Sequence, residues 1–282
     1  MTFPFFAPGD DPGPNFAGLL RRVGLAPTPP TSAPEGVTHG TTVLAIRHAE
    51  GVVMAGDRRA TSGHLISYRT MEKVFPADRH SGVAIAGAAG PAMDMVKMFQ
   101  LQLEHYEKVE GNQLSLEGKA NQLSGMVRNH LPFALQGMAV VPLFAGYDLR
   151  RKVGRLFQYD ITGGRYEERD FASTGSGSLH AGAVVKMGFR DGMTREQAMD
   201  LAISGLFQAA DEDSATGGPD LVRGIFPTVA TITAAGFERV EESEIAERFR
   251  MLVDSLALSE STSIGANPTM VENPTTVERH TS

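Results

Sequence analysis

At His39-Gly40-Thr41-Thr42 a proline-rich stretch meets an apolar run, and a hydroxyl residue stands directly after a glycine. A threonine in that position can do two kinds of chemistry. Its Oγ can attack the Gly40 carbonyl, take over the acyl group from nitrogen, and let water release everything upstream. The shortened chain would then start at Thr41, whose α-amino group has a reference pKa of about 8 and can take the hydroxyl proton through a bridging water. One residue thereby supplies nucleophile and base, and Gly40 carries no side chain to obstruct attack. Asp57 and Lys73 follow 16 and 32 residues beyond Thr41, the first just after one strand-like segment and the second within another. Hairpin returns at such spacings can bring an acid and a base to one end of a sheet. Lys73 would favour the threonine alkoxide by hydrogen bonding and positive potential, while Asp57 would orient and neutralise the ammonium. Spacing alone leaves plainer alternatives open: a linker entering a domain at Gly40, and a structural ion pair between Asp57 and Lys73.

The elements that must position these residues are legible from periodicity. Eight of the 16 prolines fall in residues 1–40, which predicts a mostly extended or disordered leader with room only for a short helix at 15–23. Residues 42–47 and 52–56 read as a hairpin, followed by extended segments at 65–68 and 71–75 and an apolar strand at 82–86. Pro91 sits where a first helical turn tolerates it, and Met95, Met98, Phe99 and Leu103 recur at helical spacing to about residue 109. A second helix is predicted over 115–135, with Leu116, Ala120, Leu123, Val127 and Leu131 on one face. Strands return at 139–147, 155–160 and 165–169, the last two joined by Thr162-Gly163-Gly164. Helices follow at 178–188 and 194–210, the latter with Thr194 and Gln197 at capping-box spacing. A hairpin at 226–234 and 237–240 and an amphipathic helix at 243–256 close the pattern, and from 259 the chain reads as a polar tail. This order predicts an α+β fold with helices on both outer faces of two stacked antiparallel sheets.

Composition removes many functions. The 282 residues hold 26 basic and 33 acidic side chains, a formal charge of −7 that disfavours nucleic acid as a partner. There is no cysteine, so disulfides, Cys-ligated metal and thiolate nucleophiles are excluded, leaving a hydroxyl or an amine for covalent chemistry. The eight histidines form no HxH or HxxxH pair, and Gly175-Ser176-Gly177 lacks the Gly-Lys-Ser/Thr ending of a phosphate loop. No metal and no cofactor are expected. No apolar run reaches the length of about 18 residues needed to span a bilayer, and the first residues carry Pro and Asp where a secretory signal needs a basic start. A cytoplasmic protein that does not engage a membrane is predicted.

Taken together, Gly40-Thr41-Thr42, Gly56-Asp57-Arg58-Arg59, Glu72-Lys73-Val74, the strand ending at Gly87, Thr174-Gly175-Ser176-Gly177-Ser178 and Asp213-Ser214-Ala215-Thr216-Gly217-Gly218 occur in the order of one family. Over roughly residues 41–253 the chain resembles the catalytic β-type subunits of the 20S proteasome, most of all the actinobacterial ones. The resemblance implies a four-layer αββα sandwich of the amino-terminal-nucleophile hydrolase type. It implies a propeptide at 1–40 removed by autocatalytic cleavage between Gly40 and Thr41 and a peptidase domain at 41–258; the tail at 259–282, read as polar and disordered, lies outside the resemblance. It further implies a threonine endopeptidase with Thr41 as nucleophile, Asp57 and Lys73 as its electrostatic partners, and Ser176, Asp213 and Thr216 around the new amino terminus. Gly87 would donate its N–H to the oxyanion, and Thr61 and Ala89 would pair with the substrate backbone. Ala60, Met71, Ile85 and Ala89 would line the pocket for the residue before the cleaved bond; none is charged, which predicts a preference for large apolar side chains. The implied partners are α subunits, other β subunits in heptameric rings, a regulatory ring ATPase, and unfolded or tagged proteins as substrates. Two other functions remain to be separated from this one: an amidohydrolase of small amides with the same nucleophile, and a non-catalytic ring subunit.

Overall fold

The computed structural model describes residues 40–264, with side chains to residue 257. The predicted helix at 15–23, the leader and most of the tail lie outside the described residues.

The chain opens with β1 (Thr42–His48) and β2 (Gly51–Gly56), then a short hairpin of β3 (Ala60–Ser62) and β4 (Leu65–Tyr68), then β5 (Val74–Asp78) and β6 (Ser81–Gly87). Helices α1 (Ala89–Glu110) and α2 (Leu116–Ala134) lead to β7 (Val140–Asp148), β8 (Val153–Tyr159), β9 (Arg165–Glu168) and β10 (Phe171–Gly175). Helices α3 (Ser178–Gly188) and α4 (Arg195–Glu212), the hairpin β11 (Thr228–Thr233) and β12 (Gly236–Arg239), and α5 (Glu242–Ile264) complete the described chain.

Two antiparallel five-stranded sheets stack, one in the order β10-β1-β2-β11-β12 and the other β5-β6-β7-β8-β9. Strand alternation sorts their side chains into three cores. Val43, Ala45, Val52 and Met54 meet Ala84, Leu143, Ala145 and Leu156 between the sheets. Their neighbours Leu44, Ile46, Val53 and Ala55 face the other way, onto Ala202, Ile203 and Leu206 of α4 and Phe249 of α5. On the second sheet Val83, Ile85, Phe144 and Phe157 pack under Phe99 of α1 and Leu123 of α2. Because both faces of the central strands are covered, β1 and β2 read as continuous apolar runs. The expected αββα layering is the one observed.

Local signals explain several boundaries. Thr194 and Gln197 form a complete capping box at the start of α4, as their spacing predicts. Ser115 caps α2 by accepting from the Gly118 N–H. Four expectations need correcting. Lys73 lies immediately before β5, not inside a strand, although its carbonyl still accepts from the Ile85 N–H at 2.9 Å and so rests on the neighbouring ladder. β3 and β10 were not expected as strands. Helix α5 continues to Ile264, past the predicted end at 256 and into the stretch read as a tail. Met98 turns to solvent at 49% exposure, while Met95, Phe99 and Leu103 hold the core face.

Candidate active site

β1 lies between β10 and β2, and its register builds the site. Thr42 pairs with Gly175 of β10, and Val43 pairs with Gly56 of β2. The next residue along each neighbour is therefore Ser176 on one side and Asp57 on the other, both beside the start of β1. Helix α4 runs along the same sheet and delivers Asp213 at its C-terminal end, with Thr216 and Gly217 in the loop that follows. From the second sheet, Lys73 enters ahead of β5 and Gly87 ends β6.

Asp57 is fully buried and accepts from four donors. Its Oδ1 takes the Lys73 ammonium at 2.7 Å and the Thr42 N–H at 2.8 Å; its Oδ2 takes the Arg59 and Gly217 N–H groups at 2.9 and 2.8 Å. Four donors meet the capacity of an ionised carboxylate, so this charge is fully compensated inside the protein. Lys73, 1% exposed, is equally complete. Its three donors reach Asp57 Oδ1, the Arg59 carbonyl at 2.6 Å and the Gly40 carbonyl at 3.3 Å. Burial pushes the Lys73 ammonium below the ordinary lysine range, with Asp57 pulling in the opposite direction.

Thr41 follows Gly40 in the chain and is 5% exposed. Its hydroxyl donates to the Gly40 carbonyl at 2.7 Å, so that carbonyl oxygen receives two donors, Thr41 Oγ1 and Lys73 Nζ. The Thr41 N–H donates to Ser176 Oγ at 3.3 Å, and the Thr41 carbonyl accepts from the Ser176 N–H at 2.8 Å. Ser176 Oγ in turn donates to Asp213 Oδ2 at 2.5 Å. Burial raises the Asp213 carboxyl, but hydrogen bonds from Ser176, Thr216 and the Ala215 N–H outweigh it and hold the group below the usual carboxylate range. The Thr216 hydroxyl meets Thr42 Oγ1 at 2.7 Å and donates to Asp213 Oδ2 at 2.6 Å, so it joins the group around Thr41 through Thr42 and Asp213.

The residues expected around the substrate also converge. Ala60, Met71, Ile85 and Ala89 line one cavity together with Thr41, Lys73 and Gly87. Thr61 Oγ1 accepts from the Gly40 N–H at 3.3 Å, which places β3 alongside the backbone entering the site. Ala89 belongs to the first turn of α1, where N–H groups have no partner within the helix. Gly87 is required for a reason other than the approach of a substrate. Its φ is +109°, and a Cβ there would stand 2.1 Å from the Ala139 carbonyl oxygen.

Sequence reasoning missed three contributors. Thr42 is buried and hydrogen-bonded through both N–H and hydroxyl; Arg59 contributes its N–H and carbonyl to the Asp57–Lys73 pair and its guanidinium to the Ser214 carbonyl at 2.9 Å; Gly217 contributes an N–H and has no room for a Cβ, which would fall 2.6 Å from Arg59 Cβ. All three stand inside motifs that carry the resemblance, but residue type pointed only to Thr42, a second hydroxyl residue beside the first. Among the described residues no group of three or more His, Asp or Glu side chains could hold a metal ion.

Comparison with known proteins shows the family of the chain. The family model described as "Proteasome subunit" matches residues 37–222. The chain is 56% identical over 251 residues to a protein of Acidimicrobium ferrooxidans named proteasome subunit beta, covering 88% of this chain and 92% of that one. It is 56% identical over 226 residues to the proteasome subunit beta of Streptomyces griseus, 80% of each chain. Over 258 residues it is 50% identical to proteasome subunit beta 1 of Streptomyces avermitilis, covering 89% and 91%.

Proposed function

Because the chain belongs to the proteasome subunit family, as one of its β-type threonine endopeptidases, we propose that Thr41 is its nucleophile and that the structure represents the state before the leader is removed. The observation that carries this reading is the Gly40 carbonyl, which receives the Thr41 hydroxyl on one side and the buried Lys73 ammonium on the other. Both donors draw electron density from the carbon that the hydroxyl oxygen would attack. In the processing step a bond forms between Thr41 Oγ and the Gly40 carbon and the Gly40–Thr41 C–N bond breaks. The hydroxyl proton passes to the departing nitrogen. Water then hydrolyses the ester, leaving Gly40 as a carboxylate on the leader and Thr41 as a free amine.

Departure of Gly40 gives the third Lys73 donor to the Thr41 oxygen, while Asp57 and the Arg59 carbonyl keep the other two. The amine, beside Ser176 Oγ, takes the hydroxyl proton through water when Thr41 attacks a substrate carbonyl. Gly87 N–H stabilises the oxyanion, and Thr61 and Ala89 hold the substrate backbone as an added strand. The ester is again released by water.

As a proteasome subunit the chain assembles into rings with other subunits of that family. Heptameric β rings stacked between α rings, a ring ATPase feeding unfolded or tagged proteins, and a cytoplasmic setting complete the proposal. No helix of the described residues is long and apolar enough to cross a membrane. The test is the intact mass of the assembled protein together with labelling by a β-lactone. Loss of residues 1–40 and a single adduct on Thr41 are expected, and Thr41→Ala should keep its leader and hydrolyse no peptide. Peptide turnover by that variant above a buffer blank would refute the assignment.

A further inference from the structure

Once the leader has gone, residue 41 keeps one covalent tether, its peptide bond to Thr42. The orientation of the nucleophile is then set by whatever holds that peptide group and the residue behind it. Besides the strand contact in which the Thr42 carbonyl accepts from the Asp57 N–H at 3.1 Å, four contacts do so. The Thr41 carbonyl accepts from the Ser176 N–H, and the Thr42 N–H donates to Asp57. The fully buried Thr42 hydroxyl accepts from the Gly177 N–H at 3.0 Å and meets Thr216 Oγ1 at 2.7 Å.

The proton count gives these contacts a direction. Thr216 spends its only hydroxyl hydrogen on Asp213 Oδ2, so in its contact with Thr42 it must accept and Thr42 must donate. A polarised chain therefore runs from Gly177 N–H through Thr42 and Thr216 to Asp213. A second arm runs from the Thr41 N–H through Ser176 Oγ to the same carboxylate oxygen. Since residues 41 and 42 are covalently joined, the two arms close a ring on Asp213, and polarisation along each strengthens its members. The backbone is shaped for this closure. A Cβ on Gly177 would lie 2.5 Å from Thr42 Oγ1 and 2.8 Å from Thr216 Oγ1.

We infer that Thr42 is a positioning residue for the peptidase reaction: its hydroxyl ties the tether of the nucleophile to Asp213, so that the Thr41 amine and Oγ hold one orientation while substrates come and go. This rests on Thr41 as the nucleophile. Thr42 touches neither substrate nor reacting atoms, so losing its hydroxyl slows chemistry and leaves substrate affinity alone.

The experiment compares wild type, Thr42→Val, Thr42→Ser and Gly177→Ala as assembled particles. A fluorogenic peptide is the substrate, with kcat expressed per chain that has lost its leader by intact mass. Thr42→Val is nearly isosteric and should lower kcat at least tenfold with KM within about twofold, and Thr42→Ser should return kcat to within about threefold of wild type. Gly177→Ala, which pushes into the same contact, should show the same split and carries the test if Thr42→Val does not assemble. Wild-type kcat in Thr42→Val, or in Gly177→Ala when it stands in, would overturn the inference. So would a loss in Thr42→Val that Ser fails to restore, or one that falls on KM. Labelling of Thr41 in the wild-type particle by the β-lactone keeps the premise separate: without that label the nucleophile assignment fails, whatever the variants do.

Discussion

Every donor on Lys73 and every lone pair on Asp57 has an assigned partner, and the two charges lie 2.7 Å apart with almost no exposure. Such a pair adds little net stability over apolar side chains, but breaking it strands a charge at a cost of about 3–5 kcal/mol. Lys73→Ala should therefore lose peptide turnover entirely and also lower the denaturation midpoint. Lys73→Arg should not rescue it, because a planar guanidinium cannot meet three acceptors arranged around one nitrogen. Normal turnover in either variant would reduce the pair to scaffolding. The cavity beside it argues for specificity: Ala60, Met71, Ile85 and Ala89 are uncharged, and Lys73, which also lines it, has its donors engaged by Asp57 and two carbonyls, so a charged substrate side chain meets no free counter-charge. Peptides differing only before the scissile bond should be cut at least tenfold faster after Leu, Phe or Tyr than after Arg or Glu. Residue type and spacing made Thr41, Asp57 and Lys73 candidates while leaving a linker and a structural ion pair open, and the family resemblance selected them. Ser176, Asp213 and Thr216 needed the family resemblance, and the Arg59 carbonyl and Gly217 N–H were invisible because backbone atoms leave no mark on composition.

Elements were legible where their ends carry chemistry. The capping pair at Thr194 and Gln197, Ser115 before α2 and the Thr162-Gly163-Gly164 turn all stand where their side chains or missing side chains predict. Replacing Thr194 with Ala removes the acceptor for the Gln197 N–H and should cost about 1 kcal/mol in chemical denaturation, with the site unaffected. An unchanged midpoint would mean that α4 is held by its packing on β1 and β2 alone. β3 escaped notice because Ala60-Thr61-Ser62 is three residues long and carries no apolar alternation. β10 escaped because its sequence, Phe-Ala-Ser-Thr-Gly, is short and polar, and what makes it a strand is pairing with β1 more than 120 residues earlier in the chain. No local pattern encodes a partner that distant. The overrun of α5 has a similar cause in reverse: Ile245, Ala246 and Phe249 anchor its first turns in the core, and its last turns follow from that start.

At the scale of the molecule, the outer helices expose apolar side chains that a lone subunit has no use for. Leu179 and Met187 of α3 are 82% and 80% exposed, and Leu101 and Val109 of α1 are 59% and 66% exposed. Ring assembly is where such faces find cover. Leu179→Asp should leave the folded subunit within about 0.5 kcal/mol of wild type, since the side chain is in water already, yet reduce the yield of assembled particle when coexpressed with an α-type partner and sized. Undiminished assembly would show that α3 is not an interface. The route of the chain has one more result, which concerns time. Asp57 draws one of its four donors from Gly217, 160 residues downstream, and Thr41 waits for Ser176, which is 135 residues away. At about 5–20 residues per second, a ribosome needs roughly 10–30 s to cover the first of these distances. Lys73 and Ser176 are made within that interval, but the buried carboxylate gains its full set of donors only after residue 217. A product abandoned before Gly217 lacks that donor, and such a truncated chain, expressed alone, is expected to hydrolyse no fluorogenic peptide.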